Sequence, residues 1–193
     1  MAVVLLDNFT DANGTALPDH DPDTGDAGSW SGPSVGDTIQ NNRFEANAQY
    51  NNSTDPQNAD HSVKATIVAT ATNFDAAVVG GRWASGGQNG YILELTNGVA
   101  DSSLILYGDG QLDTHTFTRL TNGQVVEIEL RMAGESIQGY LDGQLVVSAT
   151  DSGSPATGNA YIDGAGFEFD QFSVEASLPS GIWYWEIHGL PIL

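Results

Sequence analysis

Apolar and polar residues alternate in short runs along most of the chain, as at 62–71, 91–95, 125–131 and 137–141. A period of two places the apolar side chains on one face of an extended strand and the polar ones on the other. Asn-Gly or Asp-Gly pairs punctuate these runs at 13–14, 89–90, 97–98, 109–110, 122–123, 142–143 and 163–164. Such pairs accept the positive φ values that tight hairpins require. No stretch of twelve or more residues keeps a helical period. The pattern predicts an all-β chain of hairpins folded as a two-sheet antiparallel sandwich, with a barrel as the alternative.

Two regions break the pattern. Residues 11–37 are mostly turn formers with a few apolar anchors, Leu17 and Trp30 among them, and are expected to form a long surface loop pinned to the body. Residues 177–193 open with a Pro/Gly linker and then turn strongly apolar, with Ile182, Trp183, Tyr184, Trp185, Ile187, Leu190, Pro191, Ile192 and Leu193. Full burial of such side chains is worth about 1.5–3 kcal/mol each, so they are expected to dock, either on their own sandwich or on a partner. The expected organisation is a sandwich over 1–176 followed by a docking tail over 177–193.

Composition narrows the function classes. The 193 residues suit one domain, and the absence of cysteine excludes disulfides, thiolate metal sites and a cysteine nucleophile. Twenty-five acidic residues against five basic ones give a net charge of −20, and Lys64 is the only lysine. Nothing in that balance would neutralise phosphates, so nucleic acid is excluded as a partner, while calcium becomes a candidate ligand. The first residues carry no positive charge and only a short apolar run, which reads as a first strand rather than a signal peptide or membrane span.

The segments Gly80-Gly81-Arg82-Trp83, Gly90 to Leu95, Val126 to Gly134, Ile137 to Gly143 and Phe169 to Val174 occur in an order that resembles the concanavalin A-like lectin/glucanase superfamily, in its laminin-G-like branch. The resemblance runs over about residues 5–176 and implies a jelly-roll sandwich, in which 169–174 lies beside the N-terminal strand at 6–9. The lead-in at 9–17, with 22–25 and Trp30, resembles related proteins of bacteria and their viruses. Sugar binding in the superfamily pairs aromatic faces with hydrogen-bonding side chains, which implies Arg82, Trp83, Tyr91 and Tyr107 as carbohydrate contacts. Some members bind calcium where first and last strands meet, which implies Asp7 and Asp170 as its ligands.

Hydrolysis in the glucanase relatives needs carboxylates flanking the scissile bond, in a Glu-x-Asp-x-(x)-Glu pattern. Here Glu127-Ile128-Glu129 and Glu168-Phe169-Asp170 offer two carboxylates each and lack the third. Glu127 and Glu129 alternate with Val126, Ile128 and Leu130, as on a solvent-facing strand edge, so the chain is expected not to be an enzyme. The alternating acids Asp19, Asp21 and Asp23 before Gly25 resemble part of a calcium loop, but Thr24 intervenes and no closing Glu follows.

Together these features point to a non-enzymatic structural protein of a bacteriophage particle, a capsid decoration or tail component. It would attach through its tail to the virion shell or to sister subunits as a homo-oligomer. The alternatives are a secreted module that binds cell-surface glycan, and a glycan hydrolase or lyase. Deleting 178–193 tests the docking tail: the remaining sandwich should stay folded and soluble while its native mass falls to that of a monomer. A truncated chain that is instead a monomer destabilised by several kcal/mol would mean that the tail packs on its own body.

Overall fold

A computed structural model describes residues 2–24, 30–32, 37–45, 50–52, 60–70, 75–83, 90–153 and 158–176. The strands are β1 (Ala2–Asp7), β2 (Trp30–Ser31), β3 (Ile39–Gln40), β4 (Arg43–Glu45), β5 (Tyr50–Asn52), β6 (His61–Val68), β7 (Asp75–Trp83), β8 (Tyr91–Asn97), β9 (Asp101–Gly108), β10 (Gly110–Thr118), β11 (Val125–Ala133), β12 (Ser136–Leu141), β13 (Gln144–Thr150), β14 (Asn159–Ala165) and β15 (Glu168–Ala176). They form two antiparallel sheets. The first runs β13-β12-β11-β6-β15-β4-β3, with β1 pairing β15 beside β4, and the second runs β10-β9-β8-β7-β14-β5-β2. A single 3-10 turn at Leu17–Asp19 is the one helical element among the described residues.

The predicted strands are present, and their alternation sets the core. Val126, Ile128 and Leu130 of β11 and Val63, Ala65 and Ile67 of β6 are buried from one sheet, and Ala77, Val79, Leu93, Leu95, Leu104 and Leu106 from the other. The closing strand lies beside the first one, with Asp7 opposite Phe172 and Leu6 opposite Ser173. At the opposite margin the backbone N–H of Ser148 in β13 donates to the Asp113 carboxylate of β10 at 2.8 Å, so the outermost strands of the two sheets touch there.

Five of the Asn-Gly and Asp-Gly pairs sit at turns. Between β12 and β13, Asp142 and Gly143 both take positive φ, 49° and 76°, as a two-residue hairpin demands. The pair at 163–164 differs: it lies inside β14. A Cβ on Gly164 would come within 2.6 Å of the Ala76 carbonyl oxygen, so this glycine serves a close approach of backbones and not a reversal. Asn89 of the pair at 89–90 lies outside the described residues.

Leu17 and Trp30 are buried anchors as expected, but Trp30 and Ser31 form β2 by pairing with β5, so this part of 11–37 belongs to the second sheet and is not surface loop. The clamp is Asp7, whose carboxylate has no exposure to water. It accepts the Phe9 N–H at 2.8 Å and the Trp30 indole N–H at 2.7 Å, and lies 2.9 Å from His20 Nε2. His20 Nδ1 is 3.3 Å from Asp11. Phe9, Trp30, Phe44 and Phe172 pack around this point.

Replacing Asp7 with Ala strands buried donors and should cost about 3–5 kcal/mol, read as a fall in the urea midpoint. Burial alone would push the His20 imidazole down, but the hydrogen bonds and charges of Asp7 and Asp11 outweigh it and raise the pKa above the ordinary 6.5. The folded state then binds the proton more tightly than the unfolded chain, so this contribution to stability is complete below pH 6.5 and is lost as pH rises through the raised value. Thermal melts should show that decline, and His20→Gln should remove it.

Candidate functional site

Because β14, β7, β8 and β9 are neighbours in register, their outward residues fall into rows. Asp163, Val78, Glu94 and Ile105 form one row, and Tyr161, Gly80, Ile92 and Tyr107 the next. Gly80 leaves a gap in the second row, which the Tyr161 ring fills by lying down across the strand. A Cβ at residue 80 would sit 1.8 Å from Tyr161 Cε1. Neighbouring Gly81 faces the other way, towards Met132 and His61 in the core. The Gly-Gly pair thus serves both faces of one strand.

The result is a cleft of about 430 Å³ on the outer face of the second sheet. Val78, Ile92, Tyr107 and Tyr161 give it apolar and aromatic surface, Glu94 and Asp163 stand among them, and Asp109 lies at the rim between Gly108 and Gly110. Burial pushes up the Tyr161 phenol, as do Asp163 and Glu94. Burial and then Glu94 push up Tyr107. Both phenols are therefore neutral donors in the physiological range. Burial also raises the Asp163 carboxyl; the Gly164 N–H, at 2.7 Å, works against this and the nearby Asp37 adds to it. Apolar ring faces beside hydroxyl donors and carboxylate acceptors are what a pyranose, with CH faces and a rim of hydroxyls, can use.

Of the carbohydrate contacts implied by resemblance, Tyr107 lines this cleft. Tyr91 and Arg82 do not. Tyr91 is fully buried on the inner side of β8, and its hydroxyl donates to the Asp151 carbonyl at 3.1 Å. Arg82 is buried, with φ of 53°; its Nη1 donates to the Gly134 carbonyl at 2.9 Å and its guanidinium lies 5.8 Å from the Tyr91 ring centre. Both belong to the core. Trp83 closes β7 opposite Asn159, and its side chain lies outside the described part. The docking residues from Ile182 to Leu193 also lie outside the described residues.

Asp7 and Asp170 are not brought to a common ligand. Asp7 points inward to the clamp, while Asp170, on the outer face, is held by Arg43 Nε at 3.1 Å. In the segment 19–24, Asp23 caps the Asn8 N–H at 2.7 Å and His20 turns inward to Asp7. Among the described residues no three or more His, Asp or Glu side chains are grouped to hold a metal ion.

The paired carboxylates on β11 and β15 carry cations. Arg43 bridges Glu168 and Asp170, Lys64 lies 3.5 Å from Glu127, and Arg131 grips both oxygens of Glu129 at 2.8 Å. Glu129 is only 3% exposed, contrary to the solvent-facing edge expected of it. The reason is that β11 lies between β12 and β6, and Arg131, stacked 4.0 Å over Tyr140, covers the carboxylate.

No protein-family model matches the chain, and no curated protein matches it in sequence. Solved structures do match in fold. The carbohydrate-binding module CBM66 from Bacillus subtilis aligns with TM-score 0.54 and 17% identity over 77% of this chain and 92% of that one. The exoplasmic/lumenal domain of VIP36, in a Ca2+- and Man2-bound form, aligns at 0.58 and 10% over 78% and 81%. The Bacillus licheniformis β-glucanase aligns at 0.58 and 11% over 92% and 99%. The fold is the jelly roll of the concanavalin A-like lectins and glucanases.

Gly80 offers a test of how the cleft floor is built. Gly80→Val should displace Tyr161 and lower stability by about 1–3 kcal/mol. Much of that loss should disappear when the clash is removed in the double variant with Tyr161→Ala, a coupling that denaturant melts of the four proteins measure.

Proposed function

We propose that the chain is a carbohydrate-binding module that acts without catalysis, seating a glycan in the cleft on the outer face of the second sheet. The observation that carries this reading is the cleft itself, where Tyr107 and Tyr161 flank Ile92 and the carboxylates of Glu94 and Asp163 provide hydrogen-bond acceptors. The fold shared with CBM66 and with the VIP36 domain supports it. Tyr107 is the half-exposed ring of the pair and is the stacking surface, whereas buried Tyr161 forms the floor. The cations on Glu127, Glu129, Glu168 and Asp170 support the non-catalytic part of the reading, since carboxylates tied to Arg or Lys are poorly placed to exchange protons. The virion reading draws on the tail segment and belongs to the truncation experiment.

Screening oligosaccharides by calorimetry should find ligands for the intact protein. Tyr107→Ala should weaken them at least tenfold with an unchanged melting temperature, because this ring is not part of the hydrophobic core. The same ligands should yield no new reducing ends on long incubation. Turnover that disappears in Glu94→Gln would make the cleft an active site and defeat the non-catalytic reading.

A further inference from the structure

The charges of the cleft are of one sign. Glu94, Asp109 and Asp163 line it, and Asp37 stands behind Asp163. The chain has five basic residues, all within the described part, and none lines the cleft. Arg43, Lys64 and Arg131 are engaged with carboxylates of β11 and β15, Arg82 is buried against Gly134, and Arg119 follows β10 on the way to β11. The carboxylates here differ from the rest of the acidic surface. They share a concave site with two aromatic rings and two aliphatic side chains, where charges are screened less than on open surface.

From this we infer that the ligand is an amino sugar with a free, protonated amine, so that the cleft selects a glucosamine-type glycan over its neutral, N-acetylated and uronic acid counterparts. The inference rests on the glycan-binding reading above. A hexosamine keeps the CH faces and hydroxyls that Tyr107, Tyr161 and Ile92 can meet, and it adds one ammonium group. Glu94 and Asp163 stand in a single row with only Val78 between them. At a strand spacing of about 4.8 Å their Cα atoms are roughly 10 Å apart, a span that one or two pyranose rings cover. An ammonium group between them would make charge-assisted hydrogen bonds to both. N-acetylation removes that charge, and a uronic acid reverses it.

Calorimetric titration of the full chain with short, defined probes tests this. The probes are the trimers of glucosamine, N-acetylglucosamine, glucose and a uronic acid, with trilysine as a charge control. They are compared in about 0.15 M salt, where long-range attraction to the acidic body is screened beyond about 8 Å. The glucosamine trimer should bind about tenfold more tightly than the glucose trimer, with the uronic acid trimer weakest. Glu94→Gln and Asp163→Asn should each erase most of that advantage, weakening the glucosamine trimer far more than the glucose trimer, whose hydroxyls the amide oxygen can still accept. Asp101→Asn, an exposed acid outside the cleft, should change neither. Equal binding of the glucosamine and glucose trimers would overturn the amine preference while leaving a glycan-binding cleft in place. Trilysine binding as tightly as the glucosamine trimer, or an equal effect of Asp101→Asn, would reduce the preference to bulk charge and overturn it too. Binding of no sugar at all would overturn the glycan-binding reading itself.

Discussion

A carboxylate withdrawn from water governs how this sandwich begins. Asp7 ends β1 with no exposed surface and satisfies partners from three places in the chain: Phe9, His20 and Trp30. An unpaired charge in such a position costs several kcal/mol, so the loop has to arrive with its donors correctly placed. Once it does, Phe9 and Trp30 are delivered into the aromatic group with Phe44 and Phe172, and Thr24 pairs with Leu6 through backbone hydrogen bonds. The loop is thereby made part of the core at the margin where first and last strands meet. A segment rich in Asp, Gly and Pro could not have bought that order with apolar contacts alone.

The second sheet solves a different problem, since β7 and β8 must serve the core and an open face with the same few residues. Leu93 and Tyr91 go inward while Ile92 and Glu94 go outward. Gly80 and Gly81 let neighbouring side chains close over the backbone on opposite sides. The cleft is therefore built on rigid, paired strands, with its floor ring held by packing. Binding surfaces of this kind lose little conformational entropy when a ligand arrives.

The features visible in the sequence are those decided by near neighbours. Alternation gave the faces of β6 and β11, and Asp142-Gly143 turned as a pair of positive-φ residues must. Features decided across strands were hidden. Asp163-Gly164 has the composition of a turn, but Ala76 on the adjoining strand makes it a strand interior. Glu129 looks like a surface residue until Arg131 and Tyr140 are placed beside it. Tyr91 was a reasonable aromatic candidate from sequence, yet it is Tyr161, seventy residues on, that lies beneath the cleft. The outward parity of Glu94 within 91–97 is a local sign of the site, and Tyr107, implied by the resemblance, lines it as well. The resemblance implies Asp7 as a calcium ligand at the strand junction, whereas its carboxylate serves groups 2, 13 and 23 positions downstream.

The lateral margins of the two sheets have a consequence for how the molecule behaves among copies of itself. An open sheet ordinarily ends in a row of free amides and carbonyls, a template on which another chain can add a strand and start a fibre. Here β2 and β3, at one side, are two residues long, too short for such a template, and the six-residue β1 beside them is bridged at Leu6 by Thr24. On the other side the Asp113 carboxylate of β10 occupies the Ser148 amide of β13. Short end strands and an occupied edge amide each remove part of the template that strand addition needs.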